Sequence, residues 1–400
     1  MYPLLAGMRI VEGAAFIAGP SCGLHFAQLG AEVIRFDQIG GGPDAGRWPL
    51  GQNGESLYWE GLNKGKKSVA IDLGRPEGRE LAARLACAGD GLFVTNYPVE
   101  GFLSYARLAA LRTDLICLRV MGWASGAPAV DYTVNAAAGV PFMTGPADDA
   151  RPVNHVLPAW DLLAGAYGAF ALLAAERDRR ASGKGREVRL ALSDLAAATL
   201  GNLGQVAEVL SQGADRPRSG NDLFGAFGRD FLTRDGARLM IVAITARQWS
   251  GLVELLGLKA EIAAIEAQTG AQFTADEGAR FVHRAQLNPL FEAAIGARDA
   301  GDLGAAFDAG GVCWSRYQSL AEAVATDARL FTANPLFAAV THAGGATYPT
   351  PGFAGRLPQD ERRDASPAPR LGQHTDEVLA ELLGLASGEI GRLHDQGVVA

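Results

Sequence analysis

Short apolar runs alternate with stretches of helical period through the first half of the chain, and this rhythm predicts a parallel α/β sheet. Arg9–Glu12 reads as a strand that ends in Gly13-Ala-Ala-Phe-Ile-Ala-Gly-Pro20. A helix over Ser21–Leu29, a stop at Gly30 and a strand over Glu32–Phe36 follow, with Asp37 behind it. Strand, small-residue turn, helix, strand and acid form the grammar of a Rossmann-like unit. The turn lacks GxGxxG spacing, so close approach of a ligand to the backbone and a plain structural turn both remain open. Strands over Val69–Leu73, Gly91–Thr95, Leu115–Val120 and Glu187–Leu190 continue the pattern. Helices are predicted over Pro76–Ala88, around Tyr105–Leu111 and over Ser193–Leu210.

The most apolar helical stretch is Leu157–Glu176, which carries one acid, Asp161, before Glu176. Pro158 and Asp161 mark a helix start, and the run after them predicts a helix buried on most sides. Asp161 is either an N-cap or a carboxylate kept ionised by the helix field and backbone donors.

Beyond Arg216–Asn221, which reads as a linker, the pattern changes. Phe231–Ala243 predicts a hairpin around Asp235-Gly236. Helices are expected over Trp249–Leu256, Phe281–Ala294, Leu303–Ala309 and Ser319–Ala325, with a short buried strand at Gly311–Trp314. The reading is a large Rossmann-like α/β domain over residues 1–215, a smaller α+β domain over 221–330, and a linker and return to the large domain over 331–400. Gly344–Arg370 crosses back, and helices over Thr375–Leu383 and Glu389–His394 belong with the first domain.

Composition narrows the function. With 48% hydrophobic and 20% charged residues, the 400-residue chain has ample core. Its net charge of −8 argues against nucleic acid or an anionic membrane as partner. No segment reaches the apolar length of a membrane span. Cys22, Cys87, Cys117 and Cys313 are scattered among apolar neighbours and read as buried thiols in a reducing cytoplasm, not as disulfides or metal ligands. Asn63-Lys-Gly-Lys-Lys-Ser68 is either a solvated loop or a grip for a phosphate-bearing ligand. Asn96-Tyr-Pro98 follows a strand, at the sheet edge where open α/β folds hold their ligands.

Taken together, Leu5–Glu12, Ala18-Gly-Pro20, Leu29–Arg35, Asn63–Ser68, Asp72 with Pro76-Glu-Gly78, Asn96-Tyr97, Gly311-Val312 and Ala368–Val378 resemble family III CoA-transferases, in order from about residue 4 to residue 399. Asp131–Asn135, Pro141–Pro146, Asn154–Asp161 and Gly225–Phe231 are similar to the branch that moves CoA between the two carboxyls of one mesaconate molecule. The resemblance implies an interlocked homodimer of two-domain subunits. It implies a CoA thioester of a C5 dicarboxylic acid as substrate, and no cofactor or metal, since CoA is part of the substrate. An intermolecular dicarboxylate CoA-transferase, such as one using succinyl-CoA and mesaconate, is the alternative. A nicotinamide-dependent or other nucleotide-binding Rossmann protein is disfavoured by the missing GxGxxG.

The resemblance implies Asp161 as acyl carrier, and Ile17, Ala18, Lys66, Asn96 and Tyr97 as the CoA channel, with Lys66 near a phosphate. Arg47, Asn154 and His155 are candidates for the free substrate carboxylate, and backbone N–H groups near Asp161 or from the Gly225–Gly228 loop for oxyanion donors. Gln38 and Ser104 stand where relatives of the formyl-CoA type carry basic residues; Arg35, Arg47 or Arg107 are candidate substitutes.

Overall fold

The computed structural model describes all 400 residues, Met1–Ala400. In chain order the first half contains β1 (Arg9–Gly13), α1 (Ala18–Gln28), β2 (Glu32–Gln38), α2 (Leu57–Leu62), β3 (Lys67–Ile71) and α3 (Pro76–Ala86). β4 (Leu92–Thr95), α4 (Tyr105–Leu111), β5 (Ile116–Met121), α5 (Asp131–Ala137), α6 (Val140–Met143), α7 (Ala159–Ser182), β6 (Arg186–Ala191), α8 (Leu192–Asn202) and α9 (Gln205–Gln212) follow. The second half runs through β7 (Phe227–Leu232), β8 (Arg238–Ala243), α10 (Ala246–Leu256), α11 (Lys259–Thr269), α12 (Glu277–Val282), α13 (Arg284–Gly296) and α14 (Ala300–Gly310). It ends with β9 (Cys313–Arg316), α15 (Leu320–Thr326), β10 (Phe337–Thr341), β11 (Thr347–Pro351), α16 (Thr375–Leu383) and α17 (Ser387–Asp395).

Six parallel strands form the main sheet in the order β3-β2-β1-β4-β5-β6. The order reverses between β1 and β4, so the loops at their carboxyl ends part and leave a crevice. Val11, Ile34, Val69, Phe93 and Cys117 fill the core beneath α3 and α16. The C-terminal segment closes one sheet edge: Ser68 N donates to His374 Nδ1 (3.1 Å), Ala70 N to Thr375 Oγ1 (3.1 Å) and Asp72 N to Val398 O (2.8 Å).

The chain divides into two compact units. One comprises Met1–Ala138, His155–Ala207 and Asn334–Ala400, and the other Gly139–Asn154 and Glu208–Ala333. The second unit therefore takes in a stretch the sequence reading left in the large domain. Arg218 holds it there, donating Nε to Phe142 O (2.8 Å) and Nη2 to Pro141 O (3.3 Å). In this unit β7, β8 and β9 form an antiparallel sheet, with Phe227, Phe231, Trp249, Phe273 and Phe291 at its core.

Local differences from the sequence reading have local causes. The helix expected over Ser193–Leu210 breaks after Asn202, because Gly204 takes φ +77°. Phe281–Ala294 falls in two helices that meet at His283. β9 starts at Cys313 and is largely exposed, and the Cys313 thiol is exposed as well, so neither is the buried feature expected. The β10–β11 hairpin, α2 and α11 were not anticipated.

α7 is buried on one side only, contrary to expectation. Ala164, Gly165, Gly168 and Leu172 are buried, whereas Leu162, Leu163, Tyr167 and Phe170 are exposed. The small residues let α1 approach closely: a Cβ on Gly165 would stand 2.7 Å from Ser21 Cβ and 3.3 Å from Ala18 O. Gly165→Ala is therefore expected to destabilise the protein by about 1–3 kcal/mol despite its better helix propensity, as chemical denaturation would read out. A variant as stable as the parent would contradict that packing. No helix is long and apolar enough to cross a membrane.

Candidate active site

The crevice at the β1/β4 switch point opens into a cavity of about 520 Å³. Ala15–Ala18 after β1, Asn96–Val99 after β4 and Val120–Gly122 at the end of β5 line it, together with Arg47, Tyr58, Asp131 and Asp161. Thus Ile17, Ala18, Asn96, Tyr97, Arg47 and Asp161, six of the residues singled out in the sequence, share one wall.

The β1–α1 turn is held from two sides. Asn96 clamps Ala15, accepting from its N–H (3.1 Å) and donating to its carbonyl (2.9 Å). Both amide groups of Asn96 are thereby engaged. Phe16 takes φ +69°, a conformation that costs a side-chain-bearing residue, and its N–H donates to the Asp44 carboxylate at 2.8 Å. The Arg47 guanidinium lies over the rings of Phe16 (5.4 Å) and Tyr58 (5.1 Å) and forms no ion pair with the chain. The Tyr58 hydroxyl is out of water with no hydrogen-bond partner. Tyr58 belongs to α2, whose cap Ser56 accepts from Trp59 N at 3.1 Å. The sequence analysis missed this helix and with it Tyr58, although Ser56, a capping residue just ahead of Leu57, is a signal that could have placed both.

Asp161 sits in the first turn of α7. It does not cap its own helix: the N–H groups of Trp160 (2.7 Å) and Asp161 (3.1 Å) donate to Asp131 Oδ2 instead. The Asp161 carboxyl accepts no hydrogen bond from the chain, which frees it for chemistry. Burial raises its pKa to about 6, the charge of Asp131 adds to the rise, and Arg47 opposes it. The sequence reading expected the helix to favour ionisation; desolvation outweighs that effect here, yet the group is still mainly carboxylate at neutral pH.

Other candidates lie elsewhere. Lys66 is fully buried, and its ammonium is taken up by Glu12 (2.9 and 3.0 Å), Pro20 O (2.8 Å) and Asn63 Oδ1 (3.0 Å). It has no donor to spare for a phosphate, so the expected role is corrected to that of an internal ion pair. Arg35 is likewise spent, on Asp37 (2.8 Å) and Asp44 (2.9 Å), and Arg107 pairs with Glu80 at the surface at 2.5 Å. Asn154 is exposed and falls in the second unit. His155 keeps both ring nitrogens out of water without a hydrogen-bond partner, and neither residue lines the cavity.

A six-stranded parallel sheet with a cavity at its switch point, and a desolvated carboxylate and an unpaired arginine on the wall, is the layout of an α/β enzyme whose carboxylate is placed to act as a nucleophile. The chain belongs to CoA-transferase family III, whose model matches residues 5–375. It is 48% identical, over the whole chain and 98% of the relative, to a 2-methylfumaryl-CoA isomerase of Chloroflexus aurantiacus. It is 30% identical to a succinyl-CoA–D-citramalate CoA-transferase of the same organism, covering 99% of this chain and 98% of the relative. Among solved structures, a CAIB/BAIF family protein from Brucella suis superposes with a TM-score of 0.75 at 26% identity, over 95% of this chain and 99% of that one.

Proposed function

We propose that the chain interconverts the two CoA thioesters of 2-methylfumarate by moving CoA from one carboxyl to the other within one molecule. The observation that carries this reading is Asp161, a carboxylate free of hydrogen bonds on the cavity wall of a chain 48% identical to a 2-methylfumaryl-CoA isomerase. Asp161 attacks the thioester carbonyl and expels CoA thiolate, giving a mixed anhydride. The thiolate attacks the aspartyl carbonyl, forming an Asp161–CoA thioester and releasing the dicarboxylate. Its other carboxylate attacks that thioester and expels the thiolate again; attack of the thiolate on the new acyl carbonyl restores Asp161 and yields the isomer. Every step exchanges a carboxylate for a thiolate, so no cofactor is required. The enzyme's work is to hold both fragments and exclude the water that would hydrolyse the anhydride.

Ile17, Ala18 and Tyr97 line the path for the CoA arm, with Asn96 shaping it through Ala15. Arg47, without an internal carboxylate partner, grips the free carboxyl of the substrate. The active form is an interlocked homodimer, in which the apolar stripe of Leu162, Leu163, Tyr167 and Phe170 is covered by a second copy. Light scattering on the protein at nanomolar concentration should still give the dimer mass; a stable, active monomer would end that proposal.

The decisive assay supplies one purified thioester isomer and no other acid. Appearance of the second isomer supports intramolecular transfer. A strict requirement for an added dicarboxylate would instead make the chain an intermolecular transferase, like its succinyl-CoA–D-citramalate relative.

A further inference from the structure

Two residues one turn apart on α5 grip the first turn of α7. Asp131 Oδ2 accepts from the N–H groups of Trp160 (2.7 Å) and Asp161 (3.1 Å), and Asn135 Oδ1 accepts from the Trp160 indole (3.2 Å). Pro158, at the N-cap position of α7, supplies no side-chain acceptor, so the cap comes from the neighbouring helix. Asp131 is 1% exposed and lies on the cavity wall, and its second oxygen, Oδ1, is out of water with no partner.

Capping alone does not call for this arrangement. A neutral Asn or Ser satisfies helix N–H groups about as well, whereas a buried carboxylate with an idle oxygen weakens the fold. The negative charge therefore has its use at the site. On the cavity wall, the titratable groups that act on or feel Asp161 are Asp131 from α5, Arg47 from the segment after β2 and Tyr58 from α2. Of these, Asp131 and burial oppose ionisation while Arg47 favours it. A more basic carboxylate attacks a thioester carbonyl faster, provided it remains ionised at working pH.

We propose that Asp131 is a positioning residue for the acyl carrier: it fixes the backbone at Trp160 and Asp161 and holds a negative charge beside the Asp161 carboxylate that keeps it strongly nucleophilic. This inference rests on Asp161 being the carrier. The device is local, because one side chain sets both the direction of Asp161 and its basicity.

The test compares Asp131→Asn, which keeps an acceptor for the two N–H groups, with Asp131→Ala, which keeps neither acceptor nor charge. In Asp131→Asn the protein should fold, and the acidic limb of the kcat/KM–pH profile should move down by about one pH unit or more. Turnover on the plateau should fall by roughly three- to tenfold, with KM unchanged. Asp131→Ala should show the same lowered limb with a larger loss of turnover, since the first turn of α7 is then loose. An acidic limb left at its original pH in a folded Asp131→Asn protein would overturn the proposal. If Asp131→Asn does not fold, Asp131→Ser must show the lowered limb, and failure of both to fold would reduce Asp131 to a structural cap. Activity surviving in Asp161→Ala would remove the carrier itself; an unmoved limb beside an inactive Asp161→Ala removes only the role of Asp131.

Discussion

Replacing Asp161 by Ala is expected to lower CoA transfer by about four orders of magnitude or more while leaving a folded protein, because the lost group is the covalent carrier in the proposed route. Its carboxyl makes no hydrogen bond within the chain, so little structure depends on it. Asp161→Asn should be equally inactive, since an amide cannot take up and release the acyl group. It should also be more stable than the parent above neutral pH. A carboxyl whose pKa is raised on folding holds its proton more tightly folded than unfolded, so its ionised form weakens the fold. For Asp161 that cost is absent below the ordinary value of 3.8, grows as pH rises through about 6, and is complete above it. A rise of roughly two units corresponds to up to about 3 kcal/mol. Melting curves of Asp161→Asn and the parent should thus lie apart at pH 8 and converge near pH 4. In the parent, activity should climb with pH through about 6 as the nucleophile ionises. Substantial turnover in Asp161→Ala would refute the covalent route, and coincident melting curves at pH 8 would refute the strained carboxylate.

The sheet was legible in the sequence because parallel strands buried on both faces write themselves as apolar runs, and each predicted strand of the first unit lies within two residues of the observed one. The gathering of Ile17, Ala18, Asn96 and Tyr97 was legible for a related reason. Residues just after successive parallel strands must emerge at one edge, whatever their side chains do. What stayed hidden depended on partners distant in sequence. That Asp161 does not cap its own helix follows from Asp131, thirty positions earlier, and no local pattern reveals which of two acids holds the helix N–H groups. The hairpin of β10 and β11 was masked by Gly344, Gly345, Pro349 and Pro351, which read as linker. Apolar composition alone also overstated the burial of α7, since Leu162, Tyr167 and Phe170 are as apolar as a core but face outward. The basic run Lys64-Gly-Lys-Lys67 was ambiguous in the same way. Lysine advertises charge and says nothing about which side of a strand its ammonium reaches.

Lys66 is where that ambiguity has the largest consequence for stability. A lysine in the CoA channel would, on substitution, raise KM and leave the fold alone. The observed Lys66 instead sits under β1 with Glu12, and the Arg35 guanidinium lies 3.6 Å from the same carboxylate. Burial pushes the Lys66 ammonium toward neutrality and the Glu12 carboxyl toward protonation, and each charge is kept mainly by the other. Removing one member leaves the second without its main partner in a region closed to water, which costs about 3–5 kcal/mol. Lys66→Met should therefore melt well below the parent, while any protein still folded keeps its KM for the CoA thioester. Lys66→Glu should be worse, because the new carboxylate would face Glu12, Pro20 O and Asn63 Oδ1, which offer it only acceptors. Adding Glu12→Gln to Lys66→Met removes the stranded charge and should recover part of the loss. A Lys66→Met protein with the parent's melting temperature and a raised KM would return this residue to the substrate channel and overturn its assignment to the interior.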